Sequence, residues 1–97
     1  RVAAARQRSI DRIGMLNSAI PAGSIDALAP LHPEARVRLR DQLEAEKLTG
    51  RGYHRVRRVA RTIADLEGAG DLVLDEHVVL ALQLRVRLSV TSRDRAA

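Results

Sequence analysis

The chain has no cysteine, no phenylalanine and no tryptophan, and Tyr53 is its single aromatic residue. Without cysteine there is no disulfide framework, no thiolate metal ligand and no cysteine nucleophile, so a secreted disulfide scaffold is excluded and an intracellular, cytoplasmic setting is expected. Without large aromatics a core must come from Leu, Val, Ile and Ala, which favours packed helices over a β-sandwich. No apolar run approaches the ~20 residues of a membrane span, so no membrane partner is expected. The opening Arg1-Val2-Ala3-Ala4-Ala5-Arg6 has neither an initiator Met nor the apolar core of a signal peptide, and reads as the start of a piece of a longer protein.

What is present is enough for one small folded domain: 97 residues, 45% of them hydrophobic and 30% charged, a balance that excludes a disordered tail. Lysine is nearly missing too. Arginine supplies sixteen of the seventeen basic residues, against twelve acidic ones, for a net charge of +5. That balance suits contacts with phosphate or nucleic acid, and equally suits solvated helix faces whose arginines pair with Glu and Asp; net charge does not separate the two.

Hydrophobic spacing predicts an all-α fold, a small four-helix bundle with a proline-rich connection between helices one and two. The first helix covers residues 2–16, with Ile10, Ile13 and Leu16 on its inner side. Residues 18–33 hold Pro21, Gly23, Pro30 and Pro33, which allow at most a short helical turn at residues 24–28 with Ser24 as its cap. Pro33 suits the first position of a second helix reaching residue 47, with Ala35, Leu39 and Leu43 inward. Thr49 caps a third helix over residues 51–67, in which Tyr53, Val56, Val59, Ala60, Ile63 and Leu66 form the inner stripe. Gly68-Ala69-Gly70 ends it, residues 71–74 form an extended link, and Asp75-Glu76 opens a fourth helix that is apolar on most sides and hence central. Residues 1–88 are expected to form the domain and residues 89–97 a flexible basic tail.

No complete active site is legible. His32, His54 and His77 lie on different elements without metal-ligand spacing, so no metal site is expected, and no phosphate-loop, nucleophile-elbow or zinc-protease motif occurs. One constellation has chemical potential. Arg51, Arg55, Arg58 and Thr62 lie within about 60° of one another on the third helix. Arg51 falls in the first turn, where unpaired N–H groups and the positive end of the helix dipole already attract an anion. A guanidinium there can bind phosphate bidentately; the same stripe can also be a solvated basic face.

The run Thr49-Gly50-Arg51-Gly52-Tyr53-His54-Arg55, continuing through Arg58-Val59-Ala60-Arg61-Thr62-Ile63-Ala64-Asp65-Leu66-Glu67-Gly68 to Glu76-His77-Val78 and Ala81-Leu82-Gln83-Leu84-Arg85, closely resembles the C-terminal domain of magnesium-chelatase-like AAA+ ATPases of the ComM/YifB group. Arg1 to Arg8 and Leu16-Asn17 resemble the start of the same domain, so the likeness spans residues 1–85; the Arg58 to Leu66 block is its specific part. Two departures are Thr49 where the family usually has Ser, and Leu84 where an aromatic is common. The resemblance implies a helical lid beside a nucleotide-binding core domain of the same chain, in a ring of subunits. It implies that Arg51 is the sensor-2 arginine reaching the γ-phosphate of ATP, with Arg55 and Arg58 flanking it toward the core or a neighbouring subunit. ATP and Mg2+ then belong to the parent protein and neither to the isolated domain, which would have no turnover of its own. It further implies an ATP-driven motor on DNA, of branch-migration type, or a chelatase-type remodeller. A stand-alone basic DNA-binding module and a protein-interaction bundle are the competing readings.

Overall fold

The computed structural model describes residues 2–96, with side-chain detail for residues 2–87. It is all-α: α1 (Val2–Ile13), α2 (Ile25–Leu28), α3 (Pro33–Glu44), α4 (Gly50–Leu66) and α5 (Asp75–Ala96), with 3-10 turns at Asn17–Ala19 and Ala22–Ser24. The expected four helices thus become five, because the short turn in the proline-rich connection closes into a helix of its own. Among the described residues there is no strand, only a parallel bridge between Leu31 and Val73, in which His32 N–H donates to Val73 O and Val73 N–H donates to Pro30 O. That bridge holds the extended link before α5 against the entry to α3.

Helix ends show where local chemistry decides. Thr49 Oγ1 accepts from Gly52 N–H at 3.1 Å, the expected cap of α4. Pro33 occupies the first turn of α3, and the preceding His32 caps it through Nδ1, which accepts from Glu34 N–H. Gly68 ends α4 with φ +70, its N–H bonded to Asp65 O and the next N–H, of Ala69, to Ala64 O. Glu46 makes the same two-bond closure on α3, with φ 58, its N–H on Leu43 O and Lys47 N–H on Gln42 O. This left-handed residue stops α3 at Glu44, three residues before the expected end.

Three expectations need correction. Gly14 takes φ +76 and terminates α1 at Ile13, short of the expected residue 16; a Cβ there would meet nothing within 4 Å, so it is the backbone conformation that requires glycine. Ser24 is itself in a helical conformation and makes no side-chain cap bond, since the 3-10 turn before it runs straight into α2. Finally, α5 is not central on all sides: His77, Val78 and Ala81 are buried, but Leu80, Leu84 and Val86 are exposed. The tail expected from Ser89 onward coincides with the end of α5, whose side chains lie outside the described residues.

The centre of the molecule is α4, which touches every other helix. On one side Val56 and Ala60 join Ala35 and Leu39 of α3, Val78 and Ala81 of α5, and Leu31, Leu48 and Val73 in the main apolar core, with Tyr53, Val59 and Ile63 packed on it. The alanines at the helix crossings let backbones approach closely, which a core without Phe or Trp requires. A smaller cluster of Ile20, Ile25 and Ala29 fills the connection beneath α2.

Candidate functional site

The first turn of α4 carries no acidic residue. Arg51 is exposed there and makes no hydrogen bond or ion pair with the described residues. Arg55, one turn on, is likewise exposed. Arg85 of α5 joins them: its Nη2 and Nε lie 3.5 and 3.6 Å from where a Cβ on Gly52 would sit, and its Nη1 reaches Lys47 O at 3.5 Å. Sequence reasoning singled out Arg51 and Arg55 and passed over Arg85. Its only signal was its place in the last resembling block, and its approach depends on how α5 packs against α4.

The remainder of the expected stripe is engaged by the protein itself. Arg58 is half-buried, and its Nε donates to Ile20 O at 2.9 Å, fixing the 3-10 turn at Asn17–Ala19. Thr62 Oγ1 donates to Arg58 O and accepts weakly from Asn17 Nδ2. The structure therefore brings Arg51, Arg55 and Arg85 to one end of α4 and ties Arg58 to the connection.

The other charged side of α4 is buried, and the sequence reading missed it. Arg57, Arg61 and Asp65 are 2%, 0% and 2% exposed. Arg57 closes the end of α2 by donating to Ala29 O at 2.7 Å, with Tyr53 beneath its guanidinium and the Asp26 carboxylate bonded to Nη1. That bond is the main reason the Asp26 carboxyl is held below its usual value. Arg61 donates to Gly70 O and Asp71 O and pairs with Asp65 Oδ1 at 2.9 Å. Burial pushes the Arg61 pKa down, and the Asp65 charge works against that. Asp65 Oδ2 accepts from Arg12 at 3.0 Å and Asn17 Nδ2 at 2.7 Å, and its backbone carbonyl accepts from Arg8. The available signal was the Arg61 to Asp65 spacing of four beside the apolar stripe.

His77 also departs from expectation. The fold gathers Glu67, Glu76 and His77 so that one ligand atom from each lies within 4.8 Å of the others; Glu76 is the chain neighbour of His77, and Glu67 is brought in from the end of α4. His77 is fully buried; its Nδ1 accepts from Leu74 N–H at 3.0 Å, which caps α5, and its Nε2 lies 2.9 Å from Glu67 Oε2. The hydrogen-bond pattern assigns the ring proton to Nε2, the atom a metal would need, so these bonds suit a cap tying the end of α4 to the start of α5. A surface groove of about 550 Å³ is lined by Pro33, Glu34, Val37, Arg38, Asp41, Gln42 and Asp75 and includes none of the arginines at the α4 end. No helix among the described residues is long and apolar enough to cross a membrane.

The N-terminus of α4 thus carries exposed guanidinium groups beside its own unpaired N–H donors, with no carboxylate in that turn. The comparison with protein families is more specific. The model described as magnesium chelatase, subunit ChlI C-terminal, matches residues 1–85, and the chain belongs to that family, whose parent proteins are ATPases that use ATP and Mg2+. No curated protein and no solved structure matches the chain.

Proposed function

We propose that residues 1–88 are the lid of a magnesium-chelatase-like AAA+ ATPase of the ComM/YifB group, with residues 89–97 as a basic tail, and that Arg51 is its sensor-2 arginine. One observation carries the reading: Arg51 stands exposed at the positive end of a 17-residue helix, with no acid in that turn and Arg85 packed against the adjacent Gly52. Each cation at a helix N-terminus is disfavoured by roughly 0.3–1 kcal/mol, a cost that a nearby anion reverses. The γ-phosphate of ATP, held with Mg2+ by the core domain of the parent protein, is an anion of the right kind. Arg51 would bind it, while Arg55 faces the core or a neighbouring ring subunit and Arg58, bonded to Ile20 O, holds the connection in place. Lid position then depends on whether the phosphate is present, and the domain turns over nothing by itself.

The cargo of the motor divides this proposal. The ComM/YifB likeness favours DNA remodelling of the branch-migration kind; the wording of the matched family favours a chelatase motor. Titrating the parent protein with duplex DNA at two salt concentrations separates them, since a DNA motor gives a steep salt slope. The test of the lid reading is Arg51→Ala in the parent protein. ATP hydrolysis should fall tenfold or more, about 1.4 kcal/mol in barrier, while thermal unfolding is unchanged. Hydrolysis at the original rate would remove Arg51 from the nucleotide site.

A further inference from the structure

We infer that α1 is a hinged arm, latched to the body through Asp65 and able to swing away about Gly14 while α3, α4 and α5 stay folded. The inference stands on the α1–α4 junction and does not require the nucleotide reading. Along α1 only Ala5 and Ser9 are fully buried, two small side chains; Val2 and Ile10 face outward, and Ile13 is partly covered at the helix end. Little apolar area therefore holds the arm down. Its grip is polar: Arg8 on Asp65 O, Arg12 on Asp65 Oδ2, Leu28 O and Asn17 Oδ1, and Ser9 Oγ on Asn17 Oδ1.

The way Asp65 shares its oxygens makes the latch separable. Its Oδ1 is taken by Arg61, and its Oδ2 is shared between Arg12 and Asn17. When α1 leaves, Arg8 and Arg12 pass to water, while Asp65 keeps both Arg61 and Asn17. Arg61 keeps Asp65 and its two backbone carbonyls. No buried charge is orphaned in the body, so opening avoids the large penalty that normally locks such a network shut. The pivot is suited to the movement. Gly14 already has φ +76, and nothing lies within 4 Å of its Cβ position. Such a region belongs to the low-stability end of the molecule, with few buried apolar contacts to lose on opening.

Hydrogen–deuterium exchange on the intact protein carrying this chain tests the inference. The amides of residues 6–13 should exchange at least about 100-fold faster than those of residues 56–64, and at a rate nearly independent of dilute denaturant. Arg12→Ala should accelerate residues 6–13 a further tenfold, with their exchange still nearly independent of dilute denaturant while that of residues 56–64 stays steeply dependent on it. Arg8→Ala, which removes only an exposed side chain's bond to a carbonyl, should act in the same direction by a smaller factor and serves if the first variant does not fold. Equal protection of α1 and α4 would overturn the inference. So would an exchange of residues 6–13 that depends on denaturant as steeply as that of residues 56–64 in either variant, since the arm would then open only with the whole domain.

Discussion

The two sides of α4 are held in different ways. Toward α3 and α5 the contact is apolar, Val56 and Ala60 against Leu39, Val78 and Ala81, and its strength comes from area removed from water. Toward α1, α2 and the link that follows α4 the buried groups are Arg57, Arg61 and Asp65, and the contact consists of guanidinium groups bonded to backbone carbonyls and carboxylates. An apolar face tolerates any well-shaped partner. The charged face needs particular atoms at particular places, because each guanidinium left without an acceptor is a buried charge. The one helix thus joins a body that packs to a set of attachments that dock by matching hydrogen bonds.

The sharpest way to break this comparison is Asp65→Asn, which leaves Arg61 and Arg12 without their counter-charge. Loss of a buried partner of this kind costs about 3–5 kcal/mol, to be read as a fall in the urea midpoint. A cost under about 0.5 kcal/mol, the scale of a surface substitution, would mean that the charged side contributes no stability. On the apolar side Leu39→Ala, at a position 1% exposed, should cost about 2–4 kcal/mol by removing buried methyl groups and leaving a cavity. The two losses are similar in size and different in kind: adding apolar bulk nearby can refill the cavity, and no apolar side chain can replace the missing carboxylate.

The same division explains what the sequence made legible. The start of α3 and both ends of α4 follow from local chemistry that a reader can see in order, Pro33 at a helix start, Thr49 as a cap, Gly68 past an end. The inner apolar stripe of α4 follows from periodicity, and Val56 and Ala60 are buried as their spacing implies. The charged side follows from neither. Arg57 is buried because carbonyls of Ile25 and Ala29, about thirty residues earlier, are folded against it, and no local pattern announces that meeting. Ile10 was misplaced for the related reason that α1 turns Ala5 and Ser9 inward to let Arg12 reach Asp65. At the proposed site the sequence supplied Arg51 and Arg55, while Arg85 needed the packing of α5 to appear.

Smaller effects sharpen the picture at the helix ends. Gly68 and Glu46 make the same closure with positive φ, one with the residue that tolerates it and one without. Gly68→Ala should cost about 1 kcal/mol, and Glu46→Gly should gain about 0.5 kcal/mol once the extra freedom of glycine in the unfolded chain is subtracted. Opposite signs in thermal melts would support the closure as a determinant of where α3 and α4 stop.

The smallest expected effect lies in the exposed pair between α3 and α5, which contrasts with the buried pair at Asp65. Arg38 Nε lies 2.5 Å from Asp75 Oδ1 and Nη2 3.0 Å from Oδ2, but the two side chains remain 44% and 26% exposed. The hydrogen bond to Arg38, reinforced by its charge, holds the Asp75 carboxyl below the ordinary 3.8. A carboxyl whose folded value is depressed binds protons less readily in the folded state, so its contribution is complete above 3.8 and disappears as pH falls through the folded value. Solvent screening limits the pair to under about 1 kcal/mol. Arg38→Ala should therefore lower the melting temperature by a few degrees at neutral pH, with the gap from the unaltered protein closing on acidification below 3.8. A gap that persists unchanged in acid would trace the loss to the packing of the Arg38 stem over α5 and not to its charge.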